Sequence, residues 1–172
     1  MNFKTIGFLP CRSGSTRVPR KNCRIFAGIA GGLLSIKINQ LVACRNVDEI
    51  WISTDDDEVI QTAAALSRGQ SKLIKILHRP AELATSETST DELILHVRDL
   101  LKDRSDRDLV LWTHVTSPFF SSGDYTRALV KFAEAAGASY DSLITVKPFR
   151  TYLWSETGPL NYDPVVEQWP RT

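Results

Sequence analysis

Cationic and hydroxyl side chains are concentrated in one short stretch of the chain, residues 10–22, with the sequence PCRSGSTRVPRKN. It holds no acidic residue, and its small-residue centre, Ser13-Gly14-Ser15, is flanked by Arg12, Arg17, Arg20 and Lys21. A turn of small residues lets backbone N–H groups approach an anion, while hydroxyls add donors and cations neutralise charge. We therefore predict a polyphosphate-binding loop, with a solvated basic loop as the alternative. The patterns GxxxxGK[ST] and GxGxxG are absent, which argues against a P-loop ATPase and a nicotinamide-binding domain.

The elements that must position this loop alternate between short apolar runs and amphipathic helical patterns. The runs predict strands that are buried on both faces, at residues 4–9, 49–53, 72–77, 109–113 and 142–146. Helical spacing between them, as at Leu34, Ile38 and Leu41, predicts covering helices, and residues 89–92 (STDE) have the form of a capping box. The alternation predicts a three-layer α/β domain over residues 1–147, with a largely parallel sheet that binds ligands at the carboxyl ends of its strands.

Length, charge and cysteine content exclude several classes of protein. The chain has 172 residues and a formal net charge of +1, so it carries no general excess of basic residues for nucleic-acid binding. It has no apolar run long enough to span a membrane and no signal-peptide pattern at its start. Three cysteines without C-x-x-C spacing indicate neither a disulfide framework nor a zinc site. We expect a cytoplasmic protein with reduced thiols.

Four sequence motifs resemble those of one enzyme family. PCRSGSTRVPRKN at residues 10–22 is similar to the phosphate-loop signature of the CMP-sialic acid synthetases, the acylneuraminate cytidylyltransferase family. STDDDE at 53–58, HRPAEL with TSETST at 78–90, and VTSP at 115–118 resemble its later motifs, in the same order. The resemblance implies a Rossmann-like nucleotide-diphospho-sugar transferase fold, with a largely parallel, mixed sheet, helices on both faces and the last strands missing.

The resemblance also implies an activity and the residues that support it. Members transfer CMP from CTP to a nine-carbon keto sugar acid and release pyrophosphate. Arg12 and Lys21 are the implied catalytic cations. The implied nucleotide contacts are Arg12, Ser13, Gly14, Ser15, Arg17, Lys21, Asn22, Arg79, Thr88 and Thr90. Two of these have structural alternatives, because Arg79 could cap a strand end and Thr90 could cap a helix.

The sugar-acid side of the site departs from the family pattern at one position. Family members carry Gln before the sequence PTSP, whereas this chain has His114, followed by Thr116 and Ser117. A histidine keeps hydrogen-bonding ability but changes shape and can carry charge. We expect all three residues to contact an acceptor that is not ordinary sialic acid, with a structural strand-end histidine as the alternative. The acidic run Asp55–Asp57 we interpret as the solvated start of a helix.

Residues 148–172 have no clear helical or strand period and are rich in aromatic residues and proline. The resemblance implies an arm that makes a homodimer, with Tyr152, Trp154, Tyr162 and Trp169 in the subunit interface. It also implies Mg²⁺, whose acidic ligands in the family lie later than Thr172; no metal ligand is predicted in this chain. The alternative to an active enzyme is therefore a non-catalytic nucleotide-binding remnant or interaction protein.

Overall fold

The computed structural model describes residues 4–15, 17–148, 152–163 and 165–166. Its main sheet has four strands, β1 (Thr5–Pro10), β2 (Glu49–Thr54), β3 (Leu73–His78) and β4 (Leu109–Trp112), in the order β3-β2-β1-β4. All three pairings are parallel, with Phe8 of β1 opposite both Trp51 and Trp112. The predicted parallel α/β architecture is confirmed, and the described part of this sheet contains no antiparallel strand.

Helices cover both faces of this sheet. The connections supply α1 (Gly32–Ala43), α2 (Asp57–Ser67), α3 (Thr90–Leu100) and α4 (Ser122–Ala136). Leu9, Ile50 and Ile52 face one core, which α1, α2 and α4 cover with residues such as Leu34, Val59 and Tyr125. Ile6, Phe8 and Trp51 point to the opposite core, which Val97 of α3 covers. Successive strand residues therefore feed two separate cores, as the continuous apolar runs predict.

Local chemistry explains where the helices begin. Ser89 caps α3 through a reciprocal pair of hydrogen bonds with Glu92, so the predicted capping box is confirmed. Ser121 and Asp124 form the same arrangement at α4. Asp56 caps α2 by accepting hydrogen bonds from the backbone N–H groups of Glu58 and Val59. The carboxyl ends of β2 and β4 are thus followed by helices with well-defined starts.

The strand prediction for residues 142–146 is wrong. This segment has no regular secondary structure, and no described strand pairs with it. The side chains of Ile144 and Val146 are more than 80% exposed, so no described neighbouring strand or helix covers them. A run of strand-forming residues becomes a strand only where a neighbour accepts its backbone hydrogen bonds.

The described part of the predicted arm is not wholly irregular. It contains a short antiparallel hairpin of β5 (Trp154–Ser155) and β6 (Gly158–Pro159). Tyr162 packs edge-on against Tyr152, with ring centroids 5.0 Å apart, and also lies near Trp154. Trp169 lies outside the described residues. Across the described part of the chain, none of the helices is long and apolar enough to cross a membrane.

Candidate active site

A groove of about 570 Å³ opens at the carboxyl ends of β1 and β4. The loop after β1, the turn after β4 and the end of β3 contribute its walls. The residues that line it are Pro10, Arg12, Ser15, Arg17, Val18, Lys21, Asn22, Arg79, Leu93, His114, Val115 and Thr116. The structure thus brings together eight of the predicted site residues from segments that are far apart in the sequence, at the sheet edge where ligands of parallel α/β domains bind.

The groove is electropositive. Arg12 and Lys21 are half-buried in its wall, Arg17 is exposed at its rim, and Arg79 lies at its base. No acidic side chain is among the described residues that line it, and none of these four cations forms an ion pair with a described carboxylate. Unpaired cations in a partly enclosed groove attract an anion more strongly than the same cations in open solvent would.

Asp55 holds the loop that carries these cations. Its carboxylate accepts hydrogen bonds from the Ser13 backbone N–H at 2.8 Å and the Ser13 hydroxyl at 2.5 Å. Burial alone would raise the pKa of Asp55, but the two hydrogen bonds from Ser13 bring it below its ordinary value. The interpretation of Asp55 as part of a solvated helix start is therefore wrong, because Asp56 caps the helix and Asp55 turns towards the loop.

This contact also defines the positions of two predicted phosphate-contacting residues. Ser13 donates to Asp55 and does not line the groove, whereas Ser15, two residues later, does. Gly14 between them has a φ of 69°, in the left-handed region that glycine adopts without strain. Gly14 is exposed and likewise outside the lining. The turn at Gly14 separates a serine that anchors the loop from a serine that faces the groove.

Asn22 and Gly32 attach the far end of the loop to α1. The buried side-chain amide of Asn22 donates to the backbone carbonyl of Arg12. The backbone carbonyl of Asn22 accepts a hydrogen bond from the N–H of Leu34. A Cβ atom at Gly32 would lie 2.0 Å from the carbonyl oxygen of Arg24, so only glycine allows this approach. The loop therefore has fixed points at Ser13, Asn22 and the start of α1.

Arg79 has a structural role as well as a place in the groove. The residue is 2% exposed, and its guanidinium donates to the hydroxyl and the carbonyl of Ser53 at the end of β2. Burial lowers the pKa of Arg79, and the nearby Asp55 carboxylate acts in the opposite direction. The strand-capping alternative thus describes its two hydrogen bonds to Ser53, and contact with the nucleotide stays a prediction.

Three other predicted residues lie outside the lining of the groove. Thr88 is engaged in a turn, where its hydroxyl bonds Thr85 and the carbonyl of Glu82. Thr90 is the first residue of α3 and is exposed. Ser117 follows the lining residue Thr116, and its carbonyl points towards α1, where it accepts from Lys37. A direct role of these side chains stays a prediction.

His114 forms the wall opposite the cationic loop. Its Nε2 accepts a hydrogen bond of 3.2 Å from the indole N–H of Trp112, which can act only as a donor. The other ring nitrogen, Nδ1, therefore carries the proton in the neutral imidazole. Partial burial of the imidazole lowers the pKa of His114, and the nearby charge of Lys21 acts in the same direction. A neutral histidine in this tautomer presents an N–H donor.

Sequence reasoning missed two kinds of residue here. The apolar lining residues Val18, Leu93 and Val115 carry no chemical signal of their own. Asp55 and Ser13 are 42 residues apart, so only the parallel pairing of β1 with β2 reveals their contact. The sequence signal that could have indicated Asp55 was its place directly after a buried strand next to β1.

Among residues 4–15, 17–148, 152–163 and 165–166, no group of three or more acidic, histidine or cysteine side chains could hold a metal ion. Asp55, the carboxylate that contacts the cationic loop, is engaged by Ser13. The described residues therefore do not fit a resident magnesium ion.

A groove of cations without described carboxylate partners at the strand ends of a parallel sheet defines an α/β domain suited to an anionic ligand. Comparison with known structures agrees on the fold. A CMP:2-keto-3-deoxy-manno-octonic acid synthetase complexed with CTP superposes with a TM-score of 0.58 at 21% identity, over 77% of this chain and 48% of that one. The chain belongs to the cytidylyltransferase family, whose sequence profile matches residues 6–151. The family resemblance predicted from the four motifs is confirmed.

Curated relatives carry related names. An N-acylneuraminate cytidylyltransferase A of Danio rerio is 25% identical over 89% of this chain and 34% of its own length. A pseudaminic acid cytidylyltransferase of Campylobacter jejuni is 27% identical over 77% of this chain and 54% of its length. A CMP-N,N'-diacetyllegionaminic acid synthase of Legionella pneumophila is 30% identical over 85% and 61%, respectively. The chain thus spans between a third and three fifths of the length of these relatives.

Proposed function

We propose that this chain binds CTP in the cationic groove and that the whole protein transfers CMP to a sialic-acid-like nine-carbon keto sugar acid, with release of pyrophosphate. The observation that carries the proposal is the set of four unpaired cations, Arg12, Arg17, Lys21 and Arg79, around one groove. The family of the chain and the names of its relatives support a cytidine nucleotide and a nonulosonic acid acceptor.

In the proposed reaction, the groove aligns the phosphate chain for in-line attack. The anomeric hydroxyl oxygen of the acceptor forms a bond to the α-phosphorus, the bond from this phosphorus to the bridging oxygen breaks, and pyrophosphate leaves. The hydroxyl proton passes to water. Arg12 and Lys21 stabilise the negative charge that develops on the phosphoryl oxygens and on the leaving pyrophosphate. Because Asp55 and Asn22 anchor the loop at both ends, these cations need little reorganisation during the reaction.

We further propose that His114 donates a hydrogen bond to the acceptor and is not the base. Its Nε2 is taken by Trp112, so proton uptake there would break that hydrogen bond. Its lowered pKa favours the neutral form at neutral pH, in which Nδ1–H is the free donor. An electronegative group of the sugar acid, such as a carboxylate or carbonyl oxygen, fits this donor.

One observation favours a second candidate function. The described residues assemble no cluster of metal ligands. A protein with this property can bind CTP without turning it over. The alternative is therefore a non-catalytic nucleotide-binding protein that shares the groove but not the reaction.

Two assays separate these functions. In a thermal-shift titration, we expect CTP to raise the unfolding temperature of the chain more than UTP or GTP does. Pyrophosphate release is then measured with CTP, Mg²⁺ and a panel of nonulosonic acids. Acceptor-dependent release supports the enzyme, and saturable CTP binding without release supports the binding protein. No stabilisation by CTP at millimolar concentration would contradict both.

We also propose that the arm makes a homodimer contact. Trp154 in β5 is 62% exposed although its ring lies near Tyr162, and Leu160, directly after β6, is 66% exposed. Exposed aromatic and aliphatic side chains in one segment are typical of protein interfaces. Light scattering at micromolar concentration should give the mass of a dimer, and a Trp154→Ser variant should lower it. A monomeric wild-type chain would contradict this part of the proposal.

A further inference from the structure

A buried lysine of α1 lies directly behind the His114 wall. Lys37 is fully buried, and its Nζ donates to the carbonyl of Ser117 at 2.8 Å, the carbonyl of Phe120 at 3.4 Å and the hydroxyl of Tyr125 at 2.7 Å. An ammonium group has three N–H donors, and here each has an acceptor. The acceptors are two backbone groups of the turn after β4 and one side chain of α4.

Burial of the Lys37 ammonium group in the core is energetically unfavourable. No carboxylate of the described residues forms an ion pair with it, and burial lowers the pKa of Lys37 to about 8. An apolar side chain of similar length would avoid the desolvation of a charge. The hydrogen bonds from Lys37 to the turn after β4 offset this desolvation, so we infer that Lys37 stabilises the turn.

Two more contacts extend the same network. Because the Tyr125 hydroxyl accepts from Lys37, its own proton is free to donate to the hydroxyl of Thr113, 2.6 Å away. The side-chain amide of Gln40, one turn along α1 from Lys37, donates to the carbonyl of Pro118 at 2.6 Å. Hydrogen bonds thus hold the turn after β4 at Thr113, immediately before His114, and at Ser117 and Pro118, directly after Thr116. The wall of the groove lies between these points.

The same helix also holds the opposite side of the groove. Leu34, one turn before Lys37, donates its N–H to the carbonyl of Asn22, which in turn fixes the cationic loop through Arg12. One turn of α1 therefore fixes the spacing between the phosphate-binding loop and the His114 wall. In-line transfer depends on this spacing, because the attacking oxygen must be positioned relative to the α-phosphorus with a precision of a fraction of an ångström.

We propose that Lys37 is a positioning residue, which holds the His114–Thr116 wall at the correct distance from the cationic loop for the acceptor sugar. The proposal concerns the acceptor and so rests on the proposed function, but the fastening of the wall can be measured without turnover. Lys37 touches neither CTP nor acceptor, since its side chain is sealed beneath the turn.

The test compares Lys37→Met with a matched lysine elsewhere on the molecule. Met has a similar length and removes only the charge and the donors. The control is Lys72→Met, because Lys72 also donates to two backbone carbonyls, of Leu41 and Cys44, but at the far end of α1. Tyr125→Phe, which removes the hydroxyl between Lys37 and Thr113, provides a second variant if Lys37→Met fails to fold.

Four readouts are taken on the full chain. In NMR titrations, with His114 assigned through His114→Gln, the wild-type imidazole should titrate below its ordinary pKa. Lys37→Met and Tyr125→Phe should move it back towards that value and speed amide exchange at Ser117 and Phe120 by about tenfold. The dissociation constant for CTP should stay within about twofold, whereas acceptor kcat/KM should fall by about tenfold to a hundredfold. Lys72→Met should change none of these.

The outcomes are distinguishable. If the wild type binds no CTP, the proposed function fails, and the His114 titration still tests the fastening of the wall. If Lys37→Met and Tyr125→Phe leave the His114 titration and the exchange of the Ser117 and Phe120 amides as in the wild type, the positioning role is overturned. An equal change in Lys72→Met would also overturn it, because the effect would then be general destabilisation.

Discussion

The two ends of the sheet treat charge in opposite ways. At the amino end, Glu49 is buried at the start of β2, and Lys4 and Arg104 donate to its carboxylate at 2.8 and 3.1 Å. Arg104 also pairs with Asp108, which precedes β4. At the carboxyl end, the half-buried cations Arg12 and Lys21 line the groove and have no described carboxylate partner.

The paired charges at the amino end stabilise the fold, whereas we propose that the unpaired cations at the carboxyl end bind a ligand. A cation with a carboxylate partner contributes to stability in the absence of any other molecule. Cations that are held together without a partner repel one another, and this cost is recovered only when an anion binds. The comparison predicts that mutations at the amino end change stability, whereas mutations at the carboxyl end change binding.

The largest expected effect is on nucleotide binding at the carboxyl end. Arg12→Ala should weaken CTP binding by roughly 10- to 100-fold, because it removes a charge-assisted contact with phosphate. In the whole protein, pyrophosphate release should fall by about a hundredfold or more. Isothermal titration calorimetry measures the first effect and a coupled pyrophosphate assay the second.

Arg20→Ala is the matched control for this experiment. Arg20 belongs to the same loop, but its guanidinium is paired with Glu58 and faces away from the groove. Its replacement should leave CTP affinity within about twofold of the wild type. If both variants lose affinity equally, the effect is one of overall loop charge and the assignment of Arg12 is wrong.

The next effect is on stability at the amino end. Burial alone would raise the pKa of Glu49, but hydrogen bonds from Lys4, Arg104 and Trp51 lower it to about 2, against an ordinary value of 4.5. Its stabilisation is therefore present above pH 4.5 and is lost as the pH falls towards 2. Glu49→Gln should lower the free energy of unfolding by about 2 kcal/mol at pH 7, after allowance for the exposure of Lys4.

Urea unfolding between pH 2 and pH 7 checks this prediction. The difference between the wild type and Glu49→Gln should narrow steadily as the pH falls below 4.5. Glu134→Gln, which removes an exposed pair with Lys131, serves as the control and should follow the wild type. A difference that is constant with pH would show that the effect of Glu49→Gln is not due to its charge.

The smallest of the three effects is at the residue that joins loop to sheet. Asp55→Asn should weaken CTP binding by about five- to tenfold, because one of the two Ser13 hydrogen bonds loses its acceptor, the other keeps only a neutral one, and the loop loosens. Asp57→Asn, at the exposed start of α2, should leave binding unchanged. If both variants bind CTP as the wild type does, Asp55 does not position the loop.

Local pattern predicted the elements well and their long-range contacts less well. The strand predicted at 49–53 is observed as Glu49–Thr54, and the capping box at Ser89 is present as expected, because both depend on neighbours in sequence. The segment 142–146 was predicted as a strand on the same evidence, but a strand also needs a partner. Propensity alone contains no information about that partner.

The same distinction applies to the site. The place of Arg12 and Lys21 in an anion-binding loop could be predicted from residue type and position after a strand, whereas the position of His114 was predicted from the family resemblance. Asp55 also follows a strand, but its role, like that of Lys37, depends on a contact with a distant residue, Ser13 at 42 and Ser117 at 80 residues away, respectively. Supporting residues carry ordinary helix-surface or helix-core signals in the sequence, and only the tertiary structure reveals what they hold in place.

We propose above all that the cations at the carboxyl end of the sheet bind a nucleotide through its phosphates. Calorimetric titration of the wild-type chain with CTP, CDP, CMP and cytidine tests it most directly. We expect saturable binding whose affinity falls at each loss of a phosphate and weakens as the salt concentration is raised. Binding of cytidine as tightly as CTP, or no binding of CTP at millimolar concentration, would contradict it.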